Sequence, residues 1–163
     1  MRICTAGTRF SVKEVDIGIA ADVGTLSRLG KCVGSGSWVR DVCLTGREFG
    51  GGEAWERGLV SWLGGGEGGG GSGGGGGGKV GGGGDAGKEA MMKEAMRWGR
   101  VVSGKSPVAV QGTKEILEWS RDRSVVDGLR YTAVWNAAML QTGDVARAMQ
   151  AGMKRGKATF EKL

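Results

Sequence analysis

FSVKEVDIGIAADVGTLSRLG, residues 10–30, is the stretch from which the rest of the chain is read. It places three carboxylates, Glu14, Asp16 and Asp22, among apolar residues. Phe10 and Val12 share one strand parity, whereas Val15, Ile17 and Ile19 share the other. A strand face cannot change parity without a bulge or turn, so the backbone must break near Lys13–Glu14. Beyond the break a second strand is expected. The apolar spacing then changes to Val23, Leu26, Leu29 and Val33, which predicts a helix over 22–33. A carboxylate at the break and another at a strand-to-helix corner stand where an α/β protein places reactive groups. Each also has a plainer reading. Asp22 precedes an apolar-periodic helix, as an N-cap does. Glu14 on an edge or bulge can be a solvated charge, and Asp16 a charged strand residue.

Outward from this stretch, composition narrows the chemistry. The chain has 163 residues, one domain's worth, with a formal charge of +6. Lys and Arg are spread along the chain, which favours a solvated basic surface over a nucleic-acid site. There is no histidine, and Cys4, Cys32 and Cys43 form no CxxC pair. That argues against a zinc or other metal site and removes Ser-His and Cys-His catalysis. Carboxylates are left as the natural acid–base groups. Three widely spaced cysteines fit a reducing compartment. No apolar run is long enough to span a bilayer, and no signal peptide is expected at the N-terminus.

Before the glycines the pattern alternates short strands and helices. A helix is expected around Trp38–Leu44, a turn at Gly50–Gly52, a helical turn over Glu53–Arg57 and a strand over Leu59–Leu63. From Gly64 to Gly84 the chain is almost pure glycine, broken by Glu67, Ser72, Lys79 and Val80. Glycine loses the most backbone freedom on ordering and has no side chain to offset it, so this tract is expected to be disordered. It lacks the interleaved Arg and aromatic residues of RNA-binding glycine tracts. After it the chain is helical. Ala86–Ser103 carries one apolar face, and Ser106 before Pro107 starts the next helix. Ser124 to Asp127 resembles a capping box that opens a helix apolar on two faces. One face holds Leu129, Ala133, Ala137 and Leu140, the other Tyr131, Trp135 and Met139. Such a helix is buried or shared with another subunit. Thr142 can cap a last helix over Gly143–Lys154, and Gly156 can end it. Three regions are therefore expected: 1–63 with the quoted stretch, a glycine-rich insert over 64–87, and a helical oligomerisation region over 88–163.

Gly99-Arg100-Val101-Val102-Ser103-Gly104-Lys105-Ser106 formally matches the phosphate-cradling GxxxxGKS pattern. The pattern needs a loop between a buried strand and a helix. Here helical periodicity precedes it and Pro107 follows at once, so nucleotide hydrolysis is not expected.

Phe10 to Leu26, FSVKEVDIGIAADVGTL, closely resembles the active-site segment of the dienoyl-CoA isomerases of the enoyl-CoA hydratase/isomerase (crotonase) family. Lys105–Gln111, Trp119–Asp122 and Trp135–Thr142 are similar to that family's C-terminal helices. The resemblance implies an α/β, partial crotonase fold: the last strands and helices of the spiral core, then an all-helical oligomerisation region. It implies isomerisation of 3,5-dienoyl-CoA to 2,4-dienoyl-CoA in fatty-acid β-oxidation, by proton transfer at C2 and C6. Glu14 matches the family glutamate near the thioester and Asp22 the deeper aspartate, so they are the implied catalytic pair. The implied substrate is an acyl-CoA thioester, with no further cofactor, no metal and no nucleic acid. The implied assembly is a homo-trimer or hexamer through the C-terminal helices. The family's oxyanion hole and a third acidic residue would fall before Met1, so the chain is expected to be truncated. Two alternatives stay open: a non-catalytic assembly subunit of a crotonase oligomer, and an enoyl-CoA hydratase. The ending Glu161-Lys162-Leu163 is a weak form of the Ser-Lys-Leu peroxisomal address, with the mitochondrion as the alternative compartment.

Overall fold

The computed structural model describes residues 1–65 and 85–161. They form two compact units, Met1–Ala95 and Met96–Leu163. The expected disordered insert over 64–87 lies mostly outside the described residues. Of its edges, Gly64 ends a strand and Asp85 begins a helix.

In the first unit, β1 (Ile3–Thr5) pairs in parallel with β4 (Trp62–Gly64), Ile3 opposite Trp62 and Thr5 opposite Gly64. Parallel strands need a long crossover, and everything between them supplies it. β2 (Arg9–Phe10) runs antiparallel to β3 (Phe49–Gly50). Rings cross this second pair: Phe10 stacks on Phe49 at 5.4 Å, and Trp38 meets Phe49 edge-on at 4.9 Å. Such pairs prefer these offset and edge geometries because the ring face is negative and its rim positive.

Two departures from expectation fall inside the quoted stretch. The backbone does break at Lys13–Glu14, but no second strand follows. Glu14–Ile17 forms a 3-10 turn, closed by Gly18 in the left-handed region at φ 81°. A strand residue cannot adopt that angle, so alternation of Val15, Ile17 and Ile19 marks no sheet, and all three are exposed. The expected helix over 22–33 is also shorter. α1 spans only Thr25–Arg28, and a 3-10 turn over Leu29–Lys31 continues it. Gly24 at φ 91° stands at the N-cap, so the chain cannot be helical through that point. Leu29 and Val33 reach the core, while Val23 and Leu26 stay exposed.

The remaining elements follow from their caps. α2 (Gly36–Thr45) starts where Ser35 Oγ accepts the Trp38 N–H at 3.3 Å, and it ends at Gly46, φ 60°. Its buried side, Trp38, Val42 and Cys43, packs with Val12, Leu29, Val33, Phe49, Ala54 and Val60 in the core. Gly50–Gly52 is not a free turn, since Gly50 ends β3 and α3 (Gly51–Glu56) begins at once. A Cβ on Gly51 would lie 2.3 Å from the Thr5 carbonyl oxygen, so only glycine lets α3 approach β1 this closely. A polar cluster braces the unit. Glu53 accepts from Trp38 Nε1 at 2.6 Å and from Arg47 through both oxygens, at 2.6 and 3.1 Å. Arg47 also reaches Asp41 at 2.8 Å.

α4 (Asp85–Ser103) runs across the boundary between the units. The second unit continues with α5 (Pro107–Trp119), α6 (Val125–Met139) and α7 (Gly143–Met153). Ser106 Oγ caps α5 by accepting the Ala109 N–H at 3.1 Å, with Pro107 in the first turn. Ser124 Oγ caps α6 by accepting the Asp127 N–H at 3.1 Å. Thr142 stands at the N-cap of α7, but its hydroxyl donates to the Met139 carbonyl at 2.9 Å instead of accepting from α7. Past α7 the left-handed residue is Arg155, φ 51°, where a glycine stop was expected at Gly156. Among the described residues no helix is long and apolar enough to cross a membrane.

Candidate active site

Glu14 opens the 3-10 turn two residues after buried Val12. The turn is closed by backbone bonds. Asp16 N–H donates to the Lys13 carbonyl at 2.9 Å, and Ile19 N–H to the Glu14 carbonyl at 3.1 Å. This fixes the Glu14 backbone while its side chain turns inward. Oε2 of Glu14 is buried and has no hydrogen-bond partner among the described residues. A buried acceptor without a partner is uncommon, because each one forfeits its bonds to water. Where one persists it calls for an explanation, and Glu14, with one oxygen withdrawn from solvent, departs from the fully solvated charge of its plainer reading.

Asp16 is exposed and pairs with Lys13 at 3.4 Å. Its carboxylate also lies against the end of α2, where a Cβ on Gly46 would sit 3.1 Å from Oδ1. Asp22 is exposed, and it caps nothing. The N-cap of α1 is Gly24, with no side-chain bond. The capping role weighed for Asp22 is thus set aside. Glu14 and Asp22 flank an exposed apolar run that includes Ile17 and Ile19.

Sequence reasoning gave no role to Cys43, which lies on the buried side of α2. Burial pushes its thiol up, and the Glu14 carboxylate pushes it further. No motif links residues 29 positions apart in this way, so only the folded chain discloses the neighbourhood. Among the described residues, two clefts in the second unit are lined by neither carboxylate. One of about 410 Å³ is lined by Trp119, Arg123, Asp127, Arg130, Tyr131 and Val134. The other, about 340 Å³, opens among α5, α6 and the start of α7. The GxxxxGKS segment forms no phosphate loop, since Gly99–Ser103 is the end of α4 and Ser106 is the cap of α5.

The fold is a partial crotonase fold. An enoyl-CoA hydratase from Bacillus anthracis superposes with a TM-score of 0.79 at 19% identity, covering 98% of this chain and 53% of that one. An enoyl-CoA hydratase from Mycobacterium tuberculosis gives 0.78 at 20%, covering 98% and 54%. Sequence narrows the class further. The chain is a homologue of proteins named Delta(3,5)-Delta(2,4)-dienoyl-CoA isomerase. It is 40% identical to the mitochondrial proteins of Rattus norvegicus and Homo sapiens over 166 residues, all of this chain and 44% of theirs. To the peroxisomal protein of Arabidopsis thaliana it is 39% identical, over all of this chain and 51% of that one. The chain thus spans about half the length of the curated relatives it matches. No family model matches the sequence.

Proposed function

We propose that the chain carries the proton-transfer pair of a 3,5-dienoyl-CoA to 2,4-dienoyl-CoA isomerase of fatty-acid β-oxidation. The observation that carries this reading is the buried, unpartnered oxygen of Glu14. It is joined by the names of the relatives at 40% identity. Glu14 removes a proton from C2, next to the thioester. The electron pair spreads through the diene, so that the double bonds move from C3–C4 and C5–C6 to C2–C3 and C4–C5. Asp22, as the acid of the pair, delivers a proton to C6. Glu14 ends protonated and Asp22 ionised, and exchange with solvent resets both. Only protons move between carbons, so the reaction needs no metal and no cofactor beyond the coenzyme A of the substrate. The intermediate is an enolate, and hydrogen-bond donors aimed at its oxygen are the usual means of stabilising it.

The same reading makes the working form a homo-trimer or hexamer joined through the C-terminal helices. It is supported by the apolar residues α6 leaves exposed, Leu129 and Val134 among them. The peroxisome is the proposed compartment, with the mitochondrion as alternative. Relatives carry both labels, and Lys162 and Leu163 of the C-terminal address lie outside the described residues.

Glu14→Gln and Asp22→Asn, each in the assembled enzyme, are the test. The absorbance of the conjugated 2,4-dienoyl thioester is followed while circular dichroism checks the fold. Loss of a positioned acid or base lowers turnover by about 10²–10⁴. Wild-type turnover in folded Asp22→Asn sinks the pair. If the chain joins a crotonase oligomer yet binds no CoA ester, the assembly-subunit reading replaces this one.

A further inference from the structure

The 3-10 turn that holds Glu14 packs against α2. The contact is directional. Gly46, just past α2, lies against the Asp16 carboxylate. Cys43, in the last turn of α2, lies on that helix's buried side in one core cluster with Val12, two residues before Glu14, and it is 7% exposed. We propose that Cys43 is a positioning residue for Glu14. Its thiol closes the α2 side of the carboxylate, keeping Oε2 from water and from any strong donor, so that its lone pairs stay free for a substrate proton. The assignment rests on the reading of Glu14 as the C2 base.

The chemistry of the side chain suits the task. A thiol fills space as a small hydrophobe and is a weak donor. It seals the wall without binding the oxygen it covers. A hydroxyl of similar size would bond the carboxylate and hold it, since bonds to charged groups are about twice as strong as neutral ones. Burial and the Glu14 charge both keep Cys43 a neutral thiol, so no second negative charge forms beside the carboxylate. The other charges on the turn, Lys13 and Asp16, pair with each other at 3.4 Å.

The experiment uses the chain itself and no substrate, so the isomerase reading and this one can fail separately. Residue-resolved alkylation against pH, read by mass spectrometry, reports each thiol. Glu14→Gln should move the Cys43 titration toward lower pH and raise its alkylation at a fixed alkaline pH severalfold. Cys4 is an internal control, being raised by burial with no contribution from Glu14, and should not move. Isotope-edited infrared spectra report the Glu14 carboxylate. Cys43→Ser should shift its stretching band as the new hydroxyl bonds Oε2, whereas Cys43→Val, donor-free, should leave it in place. An unmoved band in folded Cys43→Ser, or an equal shift in the Val variant, overturns the proposal. So does a Cys43 titration indifferent to Glu14→Gln, which decides the matter if Cys43→Ser does not fold.

Discussion

Ser106 donates its hydroxyl proton to Oδ2 of Asp144 at 2.6 Å while accepting the Ala109 N–H at 3.1 Å. One hydroxyl thus caps α5 and ties it to the first turn of α7. The Asp144 side chain is only 13% exposed, and it engages the serine hydroxyl of the GxxxxGKS match. The arrangement accounts for a GxxxxGKS match without nucleotide chemistry.

Ser106→Ala should lower stability by about 0.5–2 kcal/mol, the usual loss for an N-cap. Asp144→Ala should cost a similar amount. Because the two side chains share the Ser106–Asp144 bond, the double variant should fall short of the sum by at least about 0.5 kcal/mol. Urea midpoints of the four proteins check this, and strict additivity would show that the two side chains are not coupled.

Gly112 in α5 faces Trp135 in α6. A Cβ added there would lie 2.2 Å from the indole nitrogen. An indole ring cannot yield as the tip of a lysine can, so Gly112→Ala should destabilise by about 1–3 kcal/mol despite its better helix propensity. A thermal midpoint equal to or above wild type would mean that the two helices do not meet this closely.

Glu53 contributes to the acid limb of stability. Hydrogen bonds from Arg47 first and Trp38 second hold its carboxyl down from 4.5 to about 2. A folded-state value below the unfolded one means that the folded chain binds its proton less readily. The stabilisation is therefore present in full above about pH 4.5, and it is lost as pH falls toward about 2. The side chain is 28% exposed, so solvent screens part of the effect. Glu53→Gln should lower the denaturation midpoint at neutral pH and flatten its fall in acid. An unchanged acid slope in that variant would assign the acid sensitivity to other carboxylates.

Local chemistry made much of the helical half legible. Ser106-Pro107 and Ser124–Asp127 named their own helix starts, because capping is settled within one turn of chain. The quoted stretch was harder. Val15, Ile17 and Ile19 alternate as a strand does, yet Gly18 bends the backbone through an angle that periodicity cannot register. Gly24 cut short the predicted helix in the same way. The site divides likewise. The resemblance singled out Glu14 and Asp22, whereas composition and spacing alone left Glu14 a surface charge and Asp22 a cap. Cys43 was not legible at all, because its relation to Glu14 exists only once α2 folds over the turn.

The unpartnered oxygen of Glu14 also sets what selection can do at that position. A buried acceptor without a donor leaves the fold about 1–3 kcal/mol short of what it could have. A side chain of similar length without that unmet need, methionine for instance, should raise the denaturation midpoint while ending proton transfer. A variant library sorted for stability alone would therefore discard Glu14 early, and one sorted for turnover would keep it. If Glu14→Met proves no more stable than the parent, position 14 records no such conflict. If it proves more stable, the conflict itself identifies where the fold yields to its chemistry.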